Sequence, residues 1–119
     1  MRFSDLDHVY PCTPPGYEGT GLQLGLKVVP SAEFDQATME YRGLTPDGIT
    51  KKTNELIFSK IAFVKGYETE SGRKIETGED LYRYGLPDIW DWAKKAVFSA
   101  RMLSVAEEKN SLRESVSDS

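Results

Sequence analysis

The sequence predicts a small single domain of the α+β class, with a short antiparallel sheet or hairpin packed on a few helices and a long C-terminal helix. Three observations support this prediction. Residues 22–29, LQLGLKVV, alternate apolar and polar side chains, which is typical of a half-buried strand. Residues 64–75, VKGYETESGRKI, place a polar turn after an apolar run, as a hairpin does. After Pro87 no Gly or Pro interrupts the chain through Lys109, as expected of a long helix.

The N-terminal third is predicted to contain an irregular arm followed by one strand. Residues 1–21 include the stretch YPCTPPGYEGTG, in which Pro and Gly disfavour a regular element, so we expect an irregular arm. In residues 22–29 the alternation puts Leu22, Leu24, Leu26 and Val28 on one face, and Pro30 ends the strand. Residues 31–41 fit either a short helix beginning at Ser31 or a weak strand around Thr38 to Tyr41.

The middle of the chain predicts a capped helix and then a strand. Thr45, Pro46 and Asp47 form a helix start, because Thr caps, Pro fits the first helical position and the acid suits the helix dipole. This helix is expected over residues 46 to about 53. The apolar residues from Ile57 onward fit helical and strand spacing alike, and we favour a change to strand near residue 61.

A turn and two helices are predicted to complete the domain. Gly72 supplies the hairpin turn, and Thr77 begins a capping box for a short helix over residues 78–84 that ends at Gly85. A second helix over residues 87–109 would be about 35 Å long. Asn110 offers a position just beyond its end. We therefore expect the domain to span residues 1–110 and residues 111–119 to form a disordered tail.

Composition restricts the function classes that suit this chain. Its 15 basic and 19 acidic residues give a net charge of −4 without a basic stripe, which disfavours nucleic-acid binding. Cys12 is the only cysteine, so neither an intramolecular disulfide nor a cysteine-based zinc site is expected. The sequence has no apolar run long enough for a membrane-spanning helix and no signal-peptide pattern at its start. We expect a cytoplasmic protein with no membrane partner.

The sequence offers little support for catalysis. His8 and Cys12 could form a nucleophile pair, but a Pro-rich arm is a poor scaffold for catalytic geometry. The carboxylates between Glu68 and Asp80 could bind a divalent ion or act as an acid–base pair, although a solvated hairpin explains them as well. No nucleotide-binding glycine motif occurs. We therefore predict a non-enzymatic protein with no cofactor and no metal.

The last helix supplies the best candidates for a partner-binding surface. Trp90 and Trp92 point about 200° apart around a helix, so only one can face the core. The apolar stripe favours Trp92 as the core residue and leaves Trp90 for a partner or for partial burial on the hairpin. Phe98 and Met102 share the off-stripe face. The predicted partner-binding residues are Trp90, Phe98, Arg101, Met102 and Tyr67.

The order of features over residues 61–110 resembles the tail assembly chaperone family of long-tailed bacteriophages and prophages. Family members carry an aromatic residue after an apolar strand, an acidic hairpin with a turn glycine, a Thr-led short helix and a final helix closing on Lys-Asn. The matching positions in this sequence are Tyr67 (where the family usually has Trp), Gly72, Ile75, Thr77, Leu81 and Lys109-Asn110.

The resemblance implies a chaperone that coats the helical tape measure protein while the tail tube assembles around it. The implied partners are the tape measure protein and the tail tube protein, with self-association possible and absence from the mature virion expected. The alternative is another small phage structural protein, such as a tail-completion or head–tail connector subunit. An enzyme that uses the acidic hairpin is a further alternative, for which tight binding of a divalent metal is the test.

Overall fold

The computed structural model describes residues 2–117, with side chains described through Asn110, and it confirms a single α+β domain. Three strands and five helices occur within that range. In chain order they are β1 (Tyr10–Cys12), β2 (Gln23–Leu26), α1 (Ser31–Glu40), α2 (Pro46–Ser59), β3 (Ile61–Lys65), α3 (Gly78–Tyr84), α4 (Pro87–Ala96) and α5 (Ala100–Ser117).

The sheet is antiparallel in the order β1-β2-β3, and its inner face forms much of the core. The strand predicted over residues 22–29 is shorter, Gln23–Leu26, and its alternation holds for Leu22, Leu24 and Leu26, which are buried. Beyond the strand the prediction is wrong, because Val29 is buried and Val28 only partly so. On the outer face, Gly25 lies opposite Phe63 of β3. A Cβ at Gly25 would lie 2.3 Å from the Phe63 ring, so the absence of a side chain lets that ring lie across β2.

Strand β1 corrects the prediction of an irregular arm over residues 1–21. Tyr10 and Cys12 are buried and pair with Leu26 and Leu24 of β2, while α5 packs against the strand. Pro11 is tolerated because β1 is an edge strand, where one row of N–H groups is not needed for pairing. Burial of the two flanking side chains therefore outweighs the local preference of this stretch for turns.

The helices of the middle segment resolve two predictions. Residues 31–40 form α1, so the helical reading is right and the strand reading around Thr38 to Tyr41 is wrong. Helix α2 begins as predicted, with the Thr45 side chain accepting a hydrogen bond from the Gly48 N–H at 3.2 Å. It continues to Ser59, six residues beyond the predicted end, because Ile57 is drawn into the core. The change to strand at residue 61 is confirmed.

The hairpin and the short helix follow the prediction closely. Glu68 bridges to Lys74, and Gly72 has a φ of 88°, which the turn requires. The Thr77 hydroxyl accepts a hydrogen bond from the Asp80 N–H at 3.1 Å at the start of α3. Helix α3 spans residues 78–84 as expected.

The predicted single helix over residues 87–109 is wrong, because the chain breaks between α4 and α5. At the break the Val97 carbonyl accepts a hydrogen bond from the Val29 N–H at 2.7 Å. The Ser99 hydroxyl accepts from the Met102 N–H at 3.2 Å and so caps α5. Helix α5 then runs past Asn110 to Ser117, so the helix end predicted at Asn110 is wrong. Residues 118–119 of the predicted tail lie outside the described residues.

Candidate functional site

An apolar groove lies between the N-terminal segment and the last two helices. Trp92 of α4 and three residues of α5, Met102, Val105 and Ala106, line it, and Pro15 stands on the opposite side. The groove has a volume of about 300 Å³, at the lower end of the range for ligand pockets. We call it the α5 groove.

The N-terminal wall of the α5 groove is held in place by hydrogen bonds to both helices. Asn110 of α5 donates to the Pro11 carbonyl at 3.3 Å and accepts from the Thr13 hydroxyl at 3.4 Å. The Tyr17 hydroxyl donates to Asp88 of α4, and this hydrogen bond raises the pKa of Tyr17 above its usual value. Hydrogen bonds therefore hold the N-terminal segment against α4 and α5, and these three parts of the chain bound the groove.

A contact between His8 and Glu107 also joins the start of the chain to α5 near the groove. His8 Nε2 lies 2.7 Å from a carboxylate oxygen of Glu107, and the His8 ring contacts the Tyr10 ring edge-on at 4.5 Å. Tyr10 is buried in the core. His8 thus serves the packing of the N-terminal segment on α5.

The lining of the α5 groove remains accessible. Met102 and Val105 are 36% and 44% exposed, and Trp92 is half-buried against the core. Two cationic side chains, Arg101 and Lys109, line the same groove from α5. The arrangement is an exposed apolar strip with basic residues beside it, which suits contact with another apolar surface.

The structure brings together two of the five predicted partner-binding residues. Arg101 and Met102 both line the α5 groove. The expectation for the tryptophans is wrong: Trp90 is buried with 7% exposure, in contact with the rings of Phe58 and Tyr82, and Trp92 lines the groove. The apolar stripe favoured Trp92, yet Trp90 also lies at helical spacing from Ala93 and Val97, so helix periodicity pointed to the wrong tryptophan.

The other two predicted partner-binding residues lie elsewhere. Phe98 sits at the break between α4 and α5, 41% exposed, and contacts Phe34 of α1 edge-on with ring centroids 5.7 Å apart. Tyr67 is half-buried against the core, and its hydroxyl accepts a hydrogen bond from the Leu86 N–H at 2.8 Å. Tyr67 therefore ties the hairpin to the start of α4.

Val105 and Pro15 are groove residues that the sequence prediction missed. Val105 lies three residues after Met102, and this spacing on one helix face could have found it. Pro15 belongs to a segment that only tertiary packing brings to α5.

The hypothesis of a nucleophile pair formed by His8 and Cys12 is contradicted. Cys12 is fully buried, and its thiol lies 3.5 Å from the Leu24 carbonyl. Burial, with a smaller contribution from the charge of Glu107, raises the pKa of Cys12 to about 12. His8 is engaged with Glu107. The thiol is therefore protonated at neutral pH and shielded from substrates.

Cys12 is accordingly expected to resist alkylation in the folded protein. At pH 8 iodoacetamide should leave it unmodified over a time in which the urea-unfolded chain is fully labelled, as measured by mass spectrometry. The pKa of Cys12 is higher in the folded protein than in the unfolded chain, so its contribution to the free energy of unfolding is fully present below the unfolded pKa. This contribution is lost as the pH rises from the unfolded pKa toward about 12. Equal labelling of folded and unfolded protein at pH 8 would contradict the buried position of Cys12.

Two carboxylates of the acidic cluster have partners within the chain. Glu79 pairs with Arg83 at 3.1 Å, and the Asp80 carboxylate accepts a hydrogen bond from the Glu76 N–H at 3.5 Å. Among the described residues, no group of three or more His, Cys, Asp or Glu side chains is placed to hold a metal ion. Glu79 and Asp80 thus make local contacts in the first turn of α3.

Comparison with known proteins returned no match: no family model, no curated protein and no solved structure matches this chain. Within the described part of the chain, no helix combines the length and the apolar character needed to cross a membrane.

Proposed function

We propose that this chain is a non-enzymatic tail assembly chaperone of a long-tailed bacteriophage or prophage. It binds the tape measure protein in the host cytoplasm, aids assembly of the tail tube and is absent from the mature virion. The order of features over residues 61–110 supports this proposal by resemblance. The observation that carries it is the α5 groove, where Met102 and Val105 lie exposed beside Trp92.

The groove suits a helical client for a physical reason. A helix that presents apolar side chains at three- and four-residue spacing buries them best in an apolar trough beside another helix. The groove extends along α5 from Arg101 to Asn110, which is about 14 Å or two and a half turns of a helix. A client helix lying along it would place two or three of its apolar side chains against Trp92, Met102 and Val105.

Co-expression with the tape measure protein of the same phage tests the proposal. We expect the tape measure protein to move from the insoluble to the soluble fraction and to co-purify with this chain. A tape measure protein that stays insoluble would contradict the proposal. Detection of this chain in purified mature virions would favour a tail-completion or connector subunit instead.

Glutamate at Met102 is expected to abolish this solubilisation without unfolding the domain. The substitution places a charge in the apolar part of the groove, so client affinity should fall by about tenfold or more. Because Met102 is partly exposed, the free energy of unfolding should change by less than about 1 kcal/mol. Pull-down yield and urea denaturation measure the two effects.

Met39 provides the matched control for that variant. It is an exposed methionine on α1, 66% accessible and outside the α5 groove. Met39→Glu changes the net charge of the protein by the same amount as Met102→Glu, and it should leave client binding unchanged. Equal loss of binding in Met39→Glu and Met102→Glu would assign the effect to net charge and would rule out the groove as the binding site.

A further inference from the structure

We infer that the α5 groove selects helices that carry acidic side chains about two turns apart beside their apolar stripe. The inference rests on the proposed function and names the class of segment that the groove would take. Its basis is the placement of Arg101 and Lys109, which line the groove near the two ends of its α5 wall.

The spacing of the two cations defines what they can contact. Eight residues separate Arg101 from Lys109 on α5, which is about 12 Å along the helix axis and about 80° around it. A client helix lying along α5 has the same rise per residue. Acidic residues seven or eight positions apart on that helix would therefore reach both cations while the apolar residues between them enter the groove.

Both cations are available for such a contact. Each is exposed, and neither forms an ion pair with another residue in the described part of the chain. On α2 and α4, Lys52 pairs with Glu40 and Lys94 with Asp91, whereas Lys51 and Lys95 are exposed like the two groove cations. The groove thus presents two exposed cations and one carboxylate, that of Glu18, in a protein whose net charge is −4.

Two acidic side chains, Glu18 in the groove lining and Glu107 on α5, are engaged within the protein. Glu18, which also lines the groove, accepts a hydrogen bond from the Gly16 N–H at 2.8 Å. Glu107 of α5 is held by His8. Because these carboxylates are directed to their own chain, charge complementarity favours a partner that brings acids to the groove.

Three synthetic peptides test the inference by fluorescence polarisation. Each is a helical 21-residue peptide with the same apolar stripe, and two flanking positions seven residues apart carry Glu, Gln or Lys. We expect the Glu peptide to bind about fivefold tighter than the Gln peptide at low salt, and the Lys peptide to bind weakest. The preference should shrink at 0.5 M NaCl because exposed ion pairs are screened.

A charge-reversal variant assigns the preference to the two cations. In Arg101→Glu/Lys109→Glu the order should invert, with the Lys peptide bound tightest. The control Lys51→Glu/Lys95→Glu makes the same change in net charge at exposed helical lysines outside the groove and should keep the wild-type order.

The possible outcomes separate the inference from the function on which it rests. If all three peptides bind with equal affinity, charge selection is wrong and helix binding stands. If the control variant inverts the order as well, the effect belongs to net charge and the role of Arg101 and Lys109 is wrong. If none of the peptides binds the wild-type protein, helix binding itself is overturned, and the proposed function with it.

Discussion

Alanine at Gly66 is expected to destabilise the protein by about 3 kcal/mol or more. Gly66 has a φ of 73°, and a Cβ there would lie 2.1 Å from the carbonyl oxygen of Gly21. Left-handed backbone costs an L-residue roughly 1–2 kcal/mol. The clash adds a further cost, because the contacted atom belongs to the backbone and cannot rotate away. Urea denaturation of the purified variant measures the loss.

Gly72 is the matched control for this prediction. Its φ of 88° is similar, yet apart from its two chain neighbours no atom of the described residues lies within 4 Å of the position that a Cβ would occupy. Gly72→Ala should therefore cost only the backbone strain of about 1–2 kcal/mol. If Gly66→Ala and Gly72→Ala lower the free energy of unfolding equally, the close approach of Gly66 to Gly21 adds nothing to the cost of an alanine at position 66.

Alanine at Trp90 is expected to have a comparably large effect, in contrast to the interface role predicted from the sequence. Trp90 is buried against Phe58 and Tyr82, whose ring centroids lie 5.6 Å and 5.1 Å from its own. Removal of a buried tryptophan leaves a cavity between α2, α3 and α4 and typically costs 3–5 kcal/mol. Thermal or urea denaturation, followed by circular dichroism, measures this loss.

Trp92 supplies the comparison, since it is the same residue type on the same helix. Trp92 is half-buried and lines the α5 groove, so Trp92→Ala should cost less stability than Trp90→Ala and should weaken client binding. A Trp90→Ala protein as stable as Trp92→Ala would contradict the assignment of Trp90 to the core. Binding of the tape measure protein that survives Trp92→Ala undiminished would contradict the assignment of Trp92 to the groove.

The α5 groove depends on contacts between distant parts of the chain. Its floor comes from α4 and α5, and its opposite wall from Pro15 and neighbouring residues of the N-terminal segment. Asn110 joins the two through Pro11 and Thr13. In the family resemblance Asn110 marks the end of the last helix, whereas here it lies within α5 and anchors the N-terminal segment. The groove is thus a product of long-range packing.

The sequence predicted part of the α5 groove but did not predict that Trp92 lines it. Arg101 and Met102 were among the predicted partner-binding residues, Met102 from its place on the off-stripe face of the last helix, and both line the groove. Trp92 was assigned to the core because it falls on the apolar stripe from Ile89 to Val97, but Trp90 borders the same stripe. Which side faces the core depends on where α2 and α3 pack, and helix periodicity does not contain that information.

The sequence by itself determined the features that arise from contacts within a few residues. The caps at Thr45 and Thr77, the turn at Gly72 and the alternation of β2 all occur where local chemistry predicts them. The energies involved come from a side chain and the backbone next to it, so a short stretch is sufficient to predict them.

Only the tertiary structure decided the features that depend on distant partners. Strand β1 forms in a Pro-rich stretch because β2 and α5 bury Tyr10 and Cys12. The last helix breaks after Ala96 although no Gly or Pro is present, and there the Val97 carbonyl accepts a hydrogen bond from Val29. Burial and long-range hydrogen bonds outweigh propensities that differ by less than about 1 kcal/mol per residue, so packing settles what the local sequence leaves open.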